Sequence, residues 1–153
     1  MRAAWLARAF AEPAARDEAF ASTLLHDVGR VVLALARGPN FRLLTERVQR
    51  GEALLDVEID VFGVTHADVG ARLLAIWGLP STIVDVVQYH HDPGSAPEPC
   101  RALASIVHVA DAIVHGANNE VTLDTASLER AGHAHRVEGW LALAKKAATE
   151  PVS

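Results

Sequence analysis

Two histidines stand side by side at the end of an apolar helix in the segment "VVQYHHDPG". His90 and His91 follow Val87 by three and four residues, so both imidazoles fall on the side of the helix that Val87 occupies. A folded chain gains little by burying two titratable rings unless they bind a metal ion or hydrogen-bond to their surroundings. The spacing therefore predicts either a metal site or a pair of hydrogen-bonded core histidines.

Polar side chains occupy inward positions on three other predicted helices. With the double histidine they form a set of four imidazoles and two carboxylates: His26, Asp27, His66, His90, His91 and Asp111. An unpaired carboxylate in an apolar interior is costly, and no Lys or Arg shares these helix faces, so a divalent cation would compensate both carboxylates. Nitrogen and oxygen donors without thiolate suit iron, manganese, zinc or magnesium. Six donors are enough for a mononuclear or a dinuclear site that activates water for phosphate hydrolysis.

The alternative interpretation is that these side chains are ordinary core or surface residues. A single His on an apolar face is more often hydrogen-bonded within the core, but inward placement on four helices favours a common site or the relic of one. Arg30, directly after "HDVG", could contact an anion near that site or lie on a solvated helix face. The remaining histidines are predicted elsewhere: His108 as a core or edge residue that could orient Asp111, His115 at a helix end, and His133 and His135 in solvent.

The composition favours one soluble domain of closely packed helices. The chain has 153 residues, half of them apolar but only 5% aromatic, and its single cysteine is Cys100. One cysteine excludes an intrachain disulfide and a cysteine-rich metal site, and we interpret the chain as cytoplasmic. The net charge of −5, without a block of Lys or Arg, argues against a nucleic-acid partner. No membrane association is predicted, because no apolar run approaches the length of a membrane span.

Helical periodicity interrupted by Gly, Pro and capping residues predicts an all-α fold, a helical bundle of about seven to eight helices. The predicted ranges are about 3–11, 17–37, 41–50, 52–62, 66–77, 80–91, 101–115 and 137–149, with a loop over 116–124. The predicted inward residues are Trp5, Leu6, Ala9 and Phe10 on the first helix and Phe20, Leu24, Val28, Val31 and Leu35 on the second. Gly63 is predicted in a left-handed helix cap, and Thr65 as an N-cap with Asp68. The helix over 101–115, apolar on most sides, is predicted to be central.

A resemblance to a known family rests on three segments: "DEAFASTLLHDVGRVVLALA" (17–36), "FGVTHADVGARLLAIWGLPSTIVDVVQYHHDP" (62–93) and "IVHVADAIVHG" (106–116). In order and spacing they resemble the HD superfamily, and more closely its HDOD branch. The resemblance implies an all-helical bacterial signalling module that accompanies receiver, cyclic-dinucleotide or other regulatory domains and is generally regarded as non-catalytic. The related HD-GYP proteins are metal-dependent phosphodiesterases that act on cyclic di-GMP. By position, the six residues named above match the metal ligands of the HD-GYP pattern.

The chain departs from the HD-GYP pattern in several places. No histidine precedes His26, and Glu12, at a helix end, is a poor substitute for the further ligand expected there. The Gly-Tyr-Pro signature is absent, and Arg30 replaces the usual lysine. The amino-terminal half of the HDOD domain is missing as well. We therefore interpret residues 1–153 as a single HDOD-like domain that is a fragment, a truncated product or a short variant.

Three functions remain open at this point. The chain is a regulatory module that contacts signalling protein domains or forms a homo-oligomer, a metal-dependent phosphohydrolase acting on a nucleotide phosphodiester such as cyclic di-GMP, or a protein whose metal ion only holds helices together. The family resemblance and the incomplete ligand set favour the regulatory module. The missing half would leave apolar surface bare, so we predict self-association or a need for a partner.

Overall fold

The computed structural model describes residues 1–36, 38–116 and 123–149, and within these ranges it contains ten α-helices and no strand. The helices are α1 (Arg2–Phe10), α2 (Arg16–Leu25), α3 (Val28–Ala36), α4 (Gly38–Gln49), α5 (Leu54–Phe62), α6 (His66–Ile76), α7 (Ser81–Tyr89), α8 (Arg101–His115), α9 (Thr125–Arg130) and α10 (Val137–Thr149). Short 3-10 segments lie at Pro13–Ala15, Pro93–Ser95, Glu98–Cys100 and Ala134–Arg136. The predicted all-α fold is confirmed.

The main hydrophobic core surrounds α8, as the apolar pattern of this helix predicted. Val107 and Val109 of α8 are fully buried, and α1, α2 and α10 pack around this helix. Phe10 of α1 stacks on Trp140 of α10 with the ring centroids 5.9 Å apart. Burial of a large apolar side chain contributes roughly 1.5–3 kcal/mol. This core therefore holds α8, and with it Asp111, in a defined position.

A second, smaller core holds α3 against α6 and α7. Its buried members are Leu74, Ile83 and Val87. The two helices α3 and α6 cross where Gly29 meets Gly70: a Cβ atom added to Gly29 would lie 1.9 Å from the carbonyl oxygen of His66 and 2.7 Å from the backbone nitrogen of Gly70. Only a residue without a Cβ atom permits this approach. The crossing brings the first turn of α3 against the first turn of α6.

Gly29→Ala is expected to destabilise the fold strongly. The added methyl group would meet backbone atoms, which cannot rotate away as side chains do, so the loss should reach the upper end of the about 1–3 kcal/mol typical of overpacked cores. Gly38→Ala is the matched control, because a Cβ atom there meets nothing within 4 Å. Thermal unfolding should show a large fall in Tm for Gly29→Ala only. Equal Tm values for the two variants would contradict the close crossing.

The long helix predicted over 17–37 is divided in two, which corrects the sequence-based prediction. A turn at residues 26–27 separates α2 from α3 and changes the phase of the helical pattern. Three residues predicted to face inward are exposed: Leu24, Val31 and Leu35, at 50%, 58% and 82%. The buried side of α2 is built from smaller side chains, namely Ala19, Ser22 and Thr23. The predicted inward stripe of the second helix is therefore wrong along most of its length.

The buried face of α1 also differs from the prediction. Leu6 and Phe10 are buried as expected, but Ala9 and Trp5 are exposed, and the ring of Trp5 packs edge-on against Phe20. The inward side is completed by small residues: Ala3, Ala4 and Ala7. Small side chains let α1 approach α8 closely, which leaves the large indole on the outer side.

The helix ends around α6 follow the predicted signals. Gly63 ends α5 in the left-handed region, with φ of 74°. The side chain of Thr65 accepts a hydrogen bond from the backbone nitrogen of Asp68, and the side chain of Asp68 accepts one from the backbone nitrogen of Thr65. This capping box starts α6 at His66, so the cap fixes the place of a candidate ligand.

Helix α9 was not predicted, because six residues give less than two turns of helical pattern. Asp124 caps it by accepting a hydrogen bond from the backbone nitrogen of Ser127 at 2.9 Å. The loop predicted over 116–124 falls mainly on residues 117–122, which lie outside the described residues. The division of the second predicted helix and the addition of α9 explain why the described residues contain ten helices instead of seven to eight.

One segment, Pro13–Ala36, has the length and the mean hydropathy (1.4) of a membrane span. This corrects the expectation that no apolar run approaches that length. Core helices of soluble proteins and signal sequences meet the same criteria. Here the segment is interrupted by the turn at residues 26–27 and carries the polar side chains of the site described below.

Candidate metal centre

Four parts of the fold place His and Asp side chains at one point. The turn before α3 carries His26 and Asp27, α6 begins with His66, His90 and His91 directly follow α7, and Asp111 lies in α8. His90 is central: its ring centroid lies 5.1 Å from that of His26, 5.4 Å from that of His66 and 4.0 Å from that of His91. The structure therefore brings the predicted residues together from separate helices.

Short contacts join the carboxylates to the imidazoles. Nε2 of His26 lies 2.9 Å from Oδ1 of Asp111, and Nε2 of His66 lies 3.3 Å from Oδ1 of Asp27. Two groups of donor atoms lie within 4.8 Å of one another: His66, His90 and His91 form one, and His26, Asp27 and His90 form the other. His90 belongs to both groups. His90 would therefore be a ligand whichever of the two groups held an ion.

Three of the imidazoles are oriented by hydrogen bonds that Nδ1 donates away from the cluster. The acceptors are the carbonyl of Thr23 for His26 at 2.6 Å, the carbonyl of Val87 for His90 at 2.7 Å and the carboxylate of Glu58 for His66 at 2.8 Å. Because these bonds place a proton on Nδ1, a neutral ring such as that of His90 keeps its Nε2 lone pair for the cluster. This is the arrangement in which an outer hydrogen bond fixes the tautomer of a metal-binding histidine. Nε2 of His26 differs, because in the metal-free chain it donates to the carboxylate of Asp111.

Glu58 of α5 is a site residue that the sequence interpretation missed. Its side chain is 1% exposed, and its carboxylate accepts hydrogen bonds from both Nδ1 and the backbone nitrogen of His66. A buried carboxylate is stable only with such partners. The available signal was an acidic residue between two apolar ones, Val57 and Ile59, on a helix that directly precedes the predicted cap. That pattern is too common to single out Glu58 without the structure.

Burial and neighbouring charges set the protonation of the cluster. Burial lowers the pKa of His90 well below its usual value and that of His91 to about 4, and adjacent imidazoles add to both effects. Burial also acts to lower the pKa of His26, but the hydrogen bond to Asp111 and the charge of Asp27 outweigh it and raise that pKa. Burial acts to raise the pKa of Asp111, yet the contact with His26 holds it well below its usual range. His90, His91 and Asp111 are therefore in the forms that bind metal ions, whereas the raised pKa of His26 favours a protonated ring that would have to lose a proton to bind one.

Three further side chains border the cluster. Arg30 donates to Oδ2 of Asp27 at 3.2 Å and is partly exposed, so its predicted position near the site is observed. Nδ1 of His115 lies 2.7 Å from Oδ1 of Asp111, a contact that the spacing of four residues on one helix could have indicated. His108 donates to the carbonyl oxygen of His90 and does not contact Asp111 through any described hydrogen bond. His108 is half-buried, in agreement with its prediction as a core or edge residue, and the imidazoles that contact Asp111 are those of His26 and His115.

The other candidates of the sequence analysis lie elsewhere. Glu12 pairs with Arg136 at 3.4 Å and has no described contact with the cluster, in line with its rejection as a ligand. His135 is exposed as predicted. His133 is half-buried, which corrects its prediction as a solvated residue, and burial lowers its pKa.

Comparison with known protein families decides the family of the chain. The sequence profile of the HDOD domain matches residues 1–93, more than half of the chain. The chain belongs to the HDOD domain family. The match includes five of the six candidate ligands, and Asp111 lies beyond it on α8. The resemblance drawn from the three motifs is thereby confirmed.

Two similar proteins extend the comparison of this HDOD chain. A protein of Treponema pallidum (strain Nichols), named "Uncharacterized protein", is 29% identical over 116 residues, which are 75% of this chain but 23% of that protein. A crystal structure named "Putative phosphohydrolase", from Shewanella amazonensis SB2B, superposes with a TM-score of 0.74 at 21% identity and covers 95% of this chain and 56% of the other. At that identity the likeness supports the helical fold alone. The HDOD chain spans only part of the length of both relatives.

The donor set of the HDOD chain fits a divalent metal ion. Nε2 of His90 is buried and has no hydrogen-bond partner, although its ring is surrounded by the other donors. A buried unsatisfied nitrogen costs about 1–3 kcal/mol, and a metal ion would remove this cost by accepting its lone pair. His26, His66 and His91 with Asp27 and Asp111 would complete such a site. The assignment of these residues as metal ligands stays a prediction.

Proposed function

We propose that this chain is an HDOD regulatory module that binds a divalent metal ion at the His/Asp cluster and acts through contact with another protein surface. One observation carries the proposal: three of the six candidate ligands stand at the starts of α3 and α6, and a partly exposed apolar surface lies on the same two helices. His26 and Asp27 directly precede α3, and His66 is the first residue of α6. The apolar side chains follow further along both helices.

The apolar surface, called here the α3–α6 face, consists of Val32, Leu35, Val69, Leu73 and Ile76. Val32, Val69, Leu73 and Ile76 line one groove together with Val64, Asp68 and Arg72. Ile76 is 73% exposed, whereas Val32, Val69 and Leu73 are half-buried. Leu35 is 82% exposed and follows Val32 by three residues, so it lies on the same side of α3. A partly exposed apolar groove bordered by charged side chains is typical of protein interaction sites. The face therefore supports self-association or binding of a signalling domain.

The cluster and the α3–α6 face are connected through the crossing of the two helices. Asp27 precedes α3 and His66 begins α6, and their donor atoms lie 3.3 Å apart. An ion bound by both residues would fix the start of each helix relative to the other. Because Gly29 already brings the two backbones into contact, a change at the donors would move α3 and α6 together, as one packed unit, relative to the rest of the chain. Metal occupancy would thereby alter how the face is presented to a partner.

The purified chain is expected to self-associate through the α3–α6 face. Leu35→Glu and Ile76→Glu should each shift the chain toward the monomer, because a buried unpaired carboxylate opposes association. Sedimentation equilibrium, run on zinc-loaded and chelator-treated samples, measures the molar mass. Leu143→Glu on α10 is the control, since Leu143 is an exposed leucine far along the chain, at 45%. A wild-type chain that is monomeric in both samples would contradict the prediction.

Metal-dependent phosphohydrolysis is the second candidate function. It is favoured by Arg30, a partly exposed cation beside Asp27 that suits a phosphate oxygen, and by the donor set itself. Bis(p-nitrophenyl) phosphate with Mn²⁺, Fe²⁺ or Zn²⁺ tests this candidate. Turnover that is lost in Asp27→Asn would favour hydrolysis over regulation. An ion that raises Tm but changes neither turnover nor molar mass would instead support a purely structural site.

A further inference from the structure

We infer that α9 is a positioning element that holds the double-histidine segment in the geometry needed for metal binding. The inference rests on the metal binding proposed above. The residues that carry it lie on α8, on α9 and just before α9, beyond the part of the chain that matches the HDOD profile. They contact the backbone of the segment and the side chain of Asp92, and they are not ligands themselves.

The first connection is made at Asp92, the residue that follows His91. Its Oδ1 accepts hydrogen bonds from Oγ of Ser127 at 2.6 Å and from Nη2 of Arg130 at 2.7 Å. Ser127 is fully buried, and its Oγ also accepts a hydrogen bond from the backbone nitrogen of Gly94 at 2.9 Å. The hydroxyl donates its single proton to Asp92 and accepts the N–H of Gly94 on one lone pair, so both of these hydrogen bonds hold this segment.

The second connection reaches the carbonyl oxygen of His90 itself. Nδ1 of His108, on α8, donates to this oxygen at 2.9 Å. Nε2 of the same ring accepts from the backbone nitrogen of Asp124 at 3.3 Å, immediately before α9. One neutral imidazole satisfies both contacts, because one nitrogen donates and the other accepts. His108 therefore links the backbone of a candidate ligand to the cap of α9.

Close packing adds to these hydrogen bonds. A Cβ atom on Gly94 would lie 2.8 Å from Cβ of Arg130 and 2.9 Å from the carbonyl oxygen of Ser127. The backbone after the double histidine thus rests directly on α9. The Asp92–Arg130 ion pair is half exposed and contributes little by itself. These contacts between α9 and the segment after His91 are called here the α9 brace. Its main parts are buried Ser127 and the backbone contact at Gly94.

Such a brace matters because His90 and His91 follow the last residue of α7. Backbone groups at a helix end lack the full set of helical hydrogen bonds and have more freedom than those in its middle. Some residues hold a metal ligand in place without binding the ion themselves. Replacing such a residue typically lowers the metal affinity by about 10–100-fold. Loss of the brace should therefore weaken metal binding by about that factor.

Ser127→Ala is the first test, because it removes both hydroxyl contacts with little change of volume. Zinc titration of the full chain should give a Kd about 10–100-fold higher than for the wild type, and the visible absorption of the Co²⁺-loaded protein should change. Ser105→Ala is the matched control: Ser105 is also fully buried, but its hydroxyl bonds to the carbonyl of Arg101 in its own helix. Both variants should lower the Tm of the metal-free chain, and only Ser127→Ala should weaken zinc binding.

Gly94→Ala tests the same contact from the other side and keeps the inference falsifiable if Ser127→Ala does not fold. Its methyl group should push the segment away from α9, with the same loss of zinc affinity and the same change in the Co²⁺ spectrum. Zinc binding at wild-type strength in both folded variants would overturn the positioning role and leave the proposed metal site intact. Failure of the wild-type chain itself to bind zinc would overturn the proposed metal site, and the positioning role with it.

Discussion

His90→Leu is expected to abolish the rise in thermal stability that a divalent ion gives the wild-type chain. His90 belongs to both donor groups, so neither group keeps three donors without it. An ion present at about a thousand times its Kd stabilises the folded state by about 4 kcal/mol, and the variant should lose this contribution. Differential scanning calorimetry of chelator-treated protein, with and without Zn²⁺ or Mn²⁺, measures the difference.

The same variant should have a second effect that separates a ligand from a core residue. In the metal-free chain Nε2 of His90 is buried without a partner, so leucine removes an unsatisfied nitrogen while keeping much of the side-chain volume. The loss of the hydrogen bond to Val87 opposes this gain. Metal-free Tm should therefore stay close to the wild-type value. His135→Leu, at an exposed histidine outside the cluster, is the control and should leave both the Tm and its response to metal unchanged; a full metal response in His90→Leu would rule out the cluster as the site.

Acidification from pH 7 to pH 4 is expected to cost the metal-free chain several kcal/mol of folding stability. Burial keeps His90 and His91 neutral in the folded state, with the pKa of His91 lowered to about 4, whereas both take up protons near pH 6.5 when unfolded. The unfolded state therefore binds more protons in this window, and the free energy of unfolding falls as the pH falls. The shift of His91 alone corresponds to roughly 3 kcal/mol.

Protonation of His26 favours the folded state on acidification, and this opposes the effect of His90 and His91. Its pKa is raised, mainly because the hydrogen bond to Asp111 outweighs burial, so its stabilisation is fully present below pH 6.5. Two imidazoles have lowered pKa values and one has a raised pKa, so acidification should lower the free energy of unfolding overall. Urea unfolding at steps between pH 7 and pH 4 gives the profile. His91→Gln should flatten it, and a free energy of unfolding that rises on acidification would refute the assignment.

The six candidate ligands lie close together, whereas the helices that carry them were predicted less well. The inward position of Asp27 was inferred from a helical stripe with Leu24 and Val31, and both of these residues are exposed. The role of the six residues as ligands stays a prediction. The turn at residues 26–27 has no Gly or Pro to indicate it, because its stability comes from the contacts of His26 and Asp27 with other helices. Polar residues at inward positions thus indicated which side chains lie close together, even where the helical period around them was wrong.

Glu58 and α9 were beyond the reach of sequence patterns for a different physical reason. Both depend on tertiary hydrogen bonds: Glu58 is held by the start of α6, and Ser127 of α9 by Asp92. Local periodicity reports which face of a helix is apolar, but it contains no information on which distant backbone group a buried polar side chain will meet. By contrast, α8 and the cap at Thr65 depend on local pattern and were predicted correctly.

The glycine crossing of α3 and α6 would limit how the ion preference of the proposed metal site can be altered. Side chains that separate two helices can be exchanged for larger or smaller ones, whereas here main chain touches main chain and offers no intermediate sizes. The distance between the donors that precede α3 and His66 at the start of α6 is thus fixed by the backbone. A change of ion preference, by evolution or by design, would therefore require a change of donor type, for instance an imidazole replaced by a carboxylate. The spacing of the two helices would stay the same.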